Sequence, residues 1–120
     1  MAILKIDEVE SKASWAHLAI DGEIDLDTVG QLRSRLEEEQ QRGVNRLMLD
    51  FSQTRYVNSS ALAVLVKFAE SLRERGGGIA LVAVAPRVKL VFEMLGLLVF
   101  FKFYDTVEEA QAAFPSDVQG

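Results

Sequence analysis

Cysteine is absent from the 120 residues, and histidine occurs once, at position 17. The first absence excludes a disulfide framework, a thiolate metal site and a cysteine nucleophile, and it fits a reducing compartment. The second leaves any serine nucleophile with a single histidine that could serve as its base. There is no run of lysine or arginine either. Thirteen basic against eighteen acidic side chains give a net charge of −5, which repels phosphate backbones, so nucleic-acid binding is not expected. Strongly apolar runs extend over about ten residues or fewer, well short of a membrane span. In "MAILKIDEVE" charge arrives at Lys5 and Asp7, too early for the apolar stretch of a secretory leader. The expectation is a soluble, cytoplasmic domain.

What is present is a substantial apolar fraction, 49% of residues, enough to bury a core. The length suits one domain, expected over residues 1–114 with a flexible tail at 115–120 ("PSDVQG"). Two short runs, "ILKIDEVE" and "WAHLAIDG", flank "SKAS" and suggest an antiparallel strand pair. Val29, Leu32 and Leu36 then repeat at helical spacing, with Asp27 or Thr28 as the N-cap and Gly43 as the stop. "VNRLMLDF" turns Leu47, Leu49 and Phe51 to one side of a strand and Met48 to the other. The strongest helical stripe is Leu62, Leu65, Phe68, Ala69 and Leu72, closed by "RGGG". "IALVAVA" is continuously apolar, as a strand covered on both faces should be. Pro86 opens a short helix with Val88, Val91, Phe92 and Leu95 turned inward and Gly96 at its end. "LVFFKFY" reads as a last strand, and Asp105 with Glu108 starts a last helix over about 106–114. The order β-β-α-β-α-β-α-β-α defines an α/β domain. Its sheet is mixed but largely parallel, with about five strands and four helices.

Catalytic motifs are hard to sustain. A nucleophile elbow needs glycines on both sides of its serine, and Ser59 has Val57, Asn58, Ser60 and Ala61 around it. His17 lies in a strand alternation with Trp15 and Ala19, where a partly exposed structural role is expected. Gly76, Gly77 and Gly78 close a helix and lead into a strand, whereas a phosphate loop opens one. No metal site, catalytic residue or cofactor is expected. Glu23, Asp25 and Asp27 cluster in "GEIDLD", a loop ahead of a helix whose positive end favours acids. Asn58, Ser59 and Ser60 begin the strongest helix, and all are good capping residues. A serine at a helix N-terminus can also accept a phosphate without melting the helix, because free N–H groups and the dipole favour an anion there.

"LDFSQTRYVNSSALAVLV" resembles the signature of bacterial anti-sigma-factor antagonists, the STAS domain family. In that signature an Asp-x-Ser strand end leads through an aromatic and an apolar residue to Asp-Ser-Ser/Thr-Gly-Leu. "GEIDLDTV" at 22–29 and "PRVKLVFEMLGL" at 86–97 match in the same order and spacing. The resemblance implies a small α/β domain, not an enzyme, that binds an anti-sigma serine kinase and so frees a sigma factor. The kinase, which supplies ATP and magnesium, phosphorylates the first serine of the pair, and a serine phosphatase reverses this. That serine is Ser59 here. By the same resemblance Gly22, Glu23 and Asp25, with Asn58, Ser60 and Ala61, contribute to the kinase-binding surface.

Two positions depart from the family pattern. Asn58 replaces the usual Asp, which retains capping and removes a negative charge beside Ser59. Ala61 replaces the usual Gly, which favours helix and adds a methyl group. The alternative reading is a STAS module that binds constitutively, as a scaffold or accessory subunit of a regulatory or lipid-transport complex.

Overall fold

A computed structural model describes residues 2–117, with side chains through residue 113. β1 (Leu4–Ser11) and β2 (Trp15–Ile24) form the antiparallel pair, broken by a bulge between Glu8 and Glu10. β3 (Arg46–Asp50) runs parallel to β2, β5 (Gly78–Val82) parallel to β3, and β6 (Lys102–Tyr104) parallel to β5. The sheet order is β1-β2-β3-β5-β6, and β4 (Thr54–Val57) pairs in parallel with the far end of β2. The mixed, mostly parallel sheet and four helices agree with the expected class.

Strand alternation divides the core into two faces. Leu18 and Ile20 of β2, Leu47 and Leu49 of β3, and Ile79 and Leu81 of β5 point to one side. They meet α1 (Val29–Gln41), α2 (Ser59–Glu74) and α3 (Pro86–Met94). Trp15, Met48 and Val82 point to the other side, against Ala110 of α4 (Val107–Asp117). Strands covered on both faces must be apolar where they are covered, which explains "IALV" in β5 and "LML" in β3. α2 is the central helix of the main layer. Its buried Leu62, Leu65, Phe68 and Leu72 each contribute about 1.5–3 kcal/mol by removal from water. The helix ends where expected, with Gly77 N–H donating to Leu72 O at 2.8 Å. A Cβ on Gly77 would lie 1.6 Å from Asn45 O, so β3 and β5 can begin side by side only with glycine there.

Several expectations are corrected. Among the described residues there are six strands, because Thr54–Val57 adds β4 between β3 and α2. "LVFFKFY" divides into a 3-10 turn at Leu98–Phe100 and a three-residue β6 at the sheet edge. α4 extends to Asp117, into the segment expected as a tail, and the rest of that tail, 118–120, lies outside the described residues. Of the four side chains expected to face inward from α3, Val88 and Phe92 are buried, whereas Val91 and Leu95 are exposed. His17 is 3% exposed rather than partly exposed, with its ring edge-on to that of Trp15 at a centroid distance of 6.4 Å. Neither of its ring nitrogens has a hydrogen-bond partner. Burial holds its pKa below the usual histidine value, with the carboxylates of Asp50 and Glu10 opposing.

Candidate functional site

β2 and β4 bring the two sequence blocks together. Their register pairs Glu23 with Tyr56 and Ile24 with Val57, and Asn58 N–H donates to Ile24 O at 2.9 Å. The loop that follows β2 and the N-terminus of α2 that follows β4 are therefore neighbours at the C-terminal edge of the parallel strands. In open α/β sheets this is the edge at which ligands and partners are recognised.

On the α2 side, Asn58 has extended backbone, φ −90° and ψ 175°, and occupies the N-cap. Its Oδ1 accepts a hydrogen bond from Ala61 N–H at 2.8 Å, and its own C=O accepts from Leu62 N–H at 3.1 Å. Asn thus performs the capping for which the sequence selects it. Ser59, the first helical residue, is exposed, and its hydroxyl takes no part in the cap. Ser60 is half-buried. The first turn contains no acidic residue, so the positive end of the helix is uncompensated by its own side chains. Ala61 is fully buried, and its methyl packs in the core instead of offering a surface.

On the other side, Gly22 has φ +128°, and a Cβ there would lie 2.0 Å from Ile3 O. Glycine is required because β1 passes directly over it. Gly22 is buried and acts through its backbone, its N–H donating to Gln53 O at 3.0 Å. Asp25, half-buried, folds the loop: its Oδ1 accepts from Asp27 N–H at 2.8 Å and Thr28 N–H at 3.2 Å. The Thr28 hydroxyl donates to Glu23 O at 2.7 Å and accepts from Asp25 N–H at 2.9 Å. Thr28 is the N-cap of α1, but its hydroxyl braces the loop and makes no side-chain cap. Glu23 is half-buried at the end of β2, and Asp27 is exposed.

The bracing turns Leu26 out of the loop, 79% exposed, and β4 presents Tyr56, 53% exposed. Sequence reading did not single out either residue. Leu26 lies between Asp25 and Asp27, a setting that no core would accept. The patch therefore consists of an exposed serine hydroxyl at a helix N-terminus, flanking carboxylates, and two protruding apolar side chains. Among the described residues no group of His, Cys, Asp or Glu could hold a metal ion, and no helix is long and apolar enough to cross a membrane.

Residues 8–110 match the STAS domain family, and the chain belongs to it. One relative is BtrV of Bordetella bronchiseptica, named as a candidate anti-sigma factor antagonist. It is 32% identical over 95 residues, covering 79% of this chain and 82% of that protein. Another is the anti-sigma-B factor antagonist of Listeria monocytogenes, 29% identical over 94 residues, with 78% and 82% covered. The fold matches the anti-sigma factor antagonist SpoIIAA in its unphosphorylated form, with a TM-score of 0.80 and 21% identity over 93% of this chain and 97% of that one. SpoIIAA has also been solved in its phosphorylated form, which matches with a TM-score of 0.71, 21% identity and coverage of 90% and 97%.

Proposed function

We propose that the chain is an anti-sigma-factor antagonist that docks an anti-sigma serine kinase through the Leu26–Ser59 patch. Phosphorylation of Ser59 switches the interaction off. The observation that carries this reading is the exposed Ser59 hydroxyl, free of the cap and beside the acidic loop through the β2–β4 pairing. Asn58 does the capping, so Ser59 can be modified without unfastening the helix.

The chemistry is supplied by the partner. The Ser59 oxygen attacks the γ-phosphorus of the kinase's ATP, the bond to the bridging oxygen breaks, and ADP leaves. The serine proton passes to a base on the kinase. The product adds about −1.5 to −2 charges at pH 7 next to Glu23, Asp25 and Asp27. The free amides of the first turn of α2 accept that charge, so the domain stays folded. The surface that met the kinase now carries a compact anion between carboxylates. A binding site shaped for the neutral serine and the apolar Leu26 and Tyr56 must then desolvate or repel it. A serine phosphatase resets the patch by hydrolysing the ester. The chain itself is a binding module without catalysis, working where the kinase and its ATP are, in the cytoplasm.

Incubation with the cognate kinase and Mg-ATP, followed by mass mapping, tests the reading. One phosphate is expected on Ser59, and Ser59→Ala should take up none. If Ser59→Ala is phosphorylated as readily as wild type, the site is Ser60 or elsewhere. If the kinase binds and no phosphate is transferred, the constitutive module replaces the switch.

A further inference from the structure

α3 has an apolar side that the fold leaves in solvent. Val88 and Phe92 are buried in the main layer, while Leu90, Val91, Met94 and Leu95 are exposed. At about 100° per residue, Leu90, Met94, Arg87, Val91 and Leu95 follow one another round an arc of about 140°. Contacts fix the two flanks of the helix. On one, Lys89 Nζ lies over the Phe103 ring of β6, 5.0 Å from its centroid. On the other, α3 packs against β4, and Arg87 Nη2 donates to Arg55 O at 3.1 Å. Arg55 precedes Tyr56, so the exposed arc of α3 adjoins the patch that carries Tyr56, Leu26 and Ser59.

We propose that this arc is the second half of the kinase footprint: the protein that docks at Ser59 also covers Leu90, Val91 and Met94. The proposal rests on the docking reading of the Ser59 patch, and two features select the same partner. The first is size. A specific interface buries about 800 Å² on each side, drawn from some 20–30 residues. The loop and helix end around Ser59 offer only a handful, so a partner seated there must reach further. The second is composition, because the centre of an interface is depleted of charge and its rim is polar. From Tyr56 the surface turns acidic towards Glu23, Asp25 and Asp27, whereas towards α3 it stays apolar through Leu90 and Met94. Tyr56, Leu26 and the α3 arc therefore form one apolar centre with the carboxylates at its border. A matching partner brings an apolar surface, basic groups for the loop and an acceptor for Arg87. That guanidinium has further N–H groups to offer besides the one bonded to Arg55 O. The α3 arc supplies contact area, and Ser59 supplies the switch.

Calorimetric titration of the cognate kinase with the full unphosphorylated chain tests the footprint. Leu90→Glu and Met94→Glu lie at exposed positions and should keep the wild-type circular dichroism and melting curve. Each should weaken binding at least about tenfold. In Ser59 phosphorylation both should raise KM and leave kcat near wild type, because they remove docking and touch no reacting atom. Val99→Glu is the control. Val99 is 76% exposed, and its carbonyl accepts from Arg73 Nη2 at 3.2 Å, at the end of α2 away from Ser59, so this variant should bind as wild type. Leu90→Ser combined with Met94→Ser adds no charge and should weaken binding in the same direction, which keeps the test open if a glutamate disturbs folding. Undiminished affinity in the folded α3 variants overturns the footprint and leaves the Ser59 reading standing. Equal losses in all three glutamate variants trace to added charge alone and also overturn it. A kinase that does not bind wild type overturns both readings. Light scattering that finds wild type paired and Met94→Glu monomeric overturns the footprint in favour of a second copy.

Discussion

Asn58 is the residue on which the site's local architecture turns, and two substitutions separate its roles. Asn58→Ala removes the acceptor that Ala61 N–H uses at 2.8 Å, while the backbone bonds to Ile24 O and from Leu62 remain. Loss of a side-chain cap of this type costs about 1 kcal/mol. For a chain of this length that lowers the melting temperature by about 3–5 °C. Asn58→Asp keeps the acceptor and adds a negative charge to a first turn that has none. Stability should rise by about 0.3–1 kcal/mol at low salt, and the gain should shrink as salt is added. Once Ser59 carries phosphate, the same aspartate lies beside a dianion, so the order reverses and phosphorylated Asn58→Asp should be less stable than phosphorylated wild type. Urea denaturation of wild type and the two variants, each with and without phosphate, measures this directly. The reasoning is refuted if Asn58→Ala unfolds at the wild-type urea concentration, or if Asn58→Asp gains equally in both phosphorylation states.

Other consequences concern the core. Phe92 is fully buried, with edge-to-face contacts to Phe101 and Phe103 at centroid distances of 5.5 and 5.8 Å, so Phe92→Ala should cost about 3–5 kcal/mol in chemical denaturation. A loss below about 1 kcal/mol would show that α3 is not anchored by that cluster. His17 gives a pH dependence: its folded pKa is lowered from 6.5, so below that value the unfolded chain binds the extra proton more readily. Stability from this group is therefore fully present above pH 6.5 and falls as the pH drops below it, with a limiting slope of about 1.4 kcal/mol per unit. Urea melts of wild type and His17→Leu across that range should differ in slope, and parallel curves would contradict the assignment.

The parts of this fold that were legible in the sequence are those with one clear period. Leu62, Leu65, Phe68 and Leu72 repeat on a single helical face, and "IALV" is apolar at every position because both faces of β5 are covered. β4 was not legible because Thr54 and Val57 are its buried residues while Arg55 and Tyr56 are both exposed, an i, i+3 spacing that does not alternate as a strand does. α3 was half legible. Val88, Val91, Phe92 and Leu95 form one plausible stripe, but packing takes only Val88 and Phe92, and nothing local decides between the two arcs. His17 follows the strand alternation correctly, yet its burial comes from tertiary packing that the alternation does not specify. At the candidate site the residue types and the family pattern pointed to Ser59 and the acidic loop. Their adjacency depends on β4, which the sequence did not reveal, and Leu26 and Tyr56 became visible only with it.

The central claim is that phosphate on Ser59 abolishes docking without disturbing the fold. Calorimetric titration of the cognate kinase with the unphosphorylated and the stoichiometrically phosphorylated chain tests it most directly. The account predicts that phosphorylation weakens binding by about 10²-fold or more, because a dianion enters a surface built around a neutral hydroxyl and flanked by carboxylates. Circular dichroism spectra of the two forms should superimpose. Equal affinities for the two forms would contradict the account.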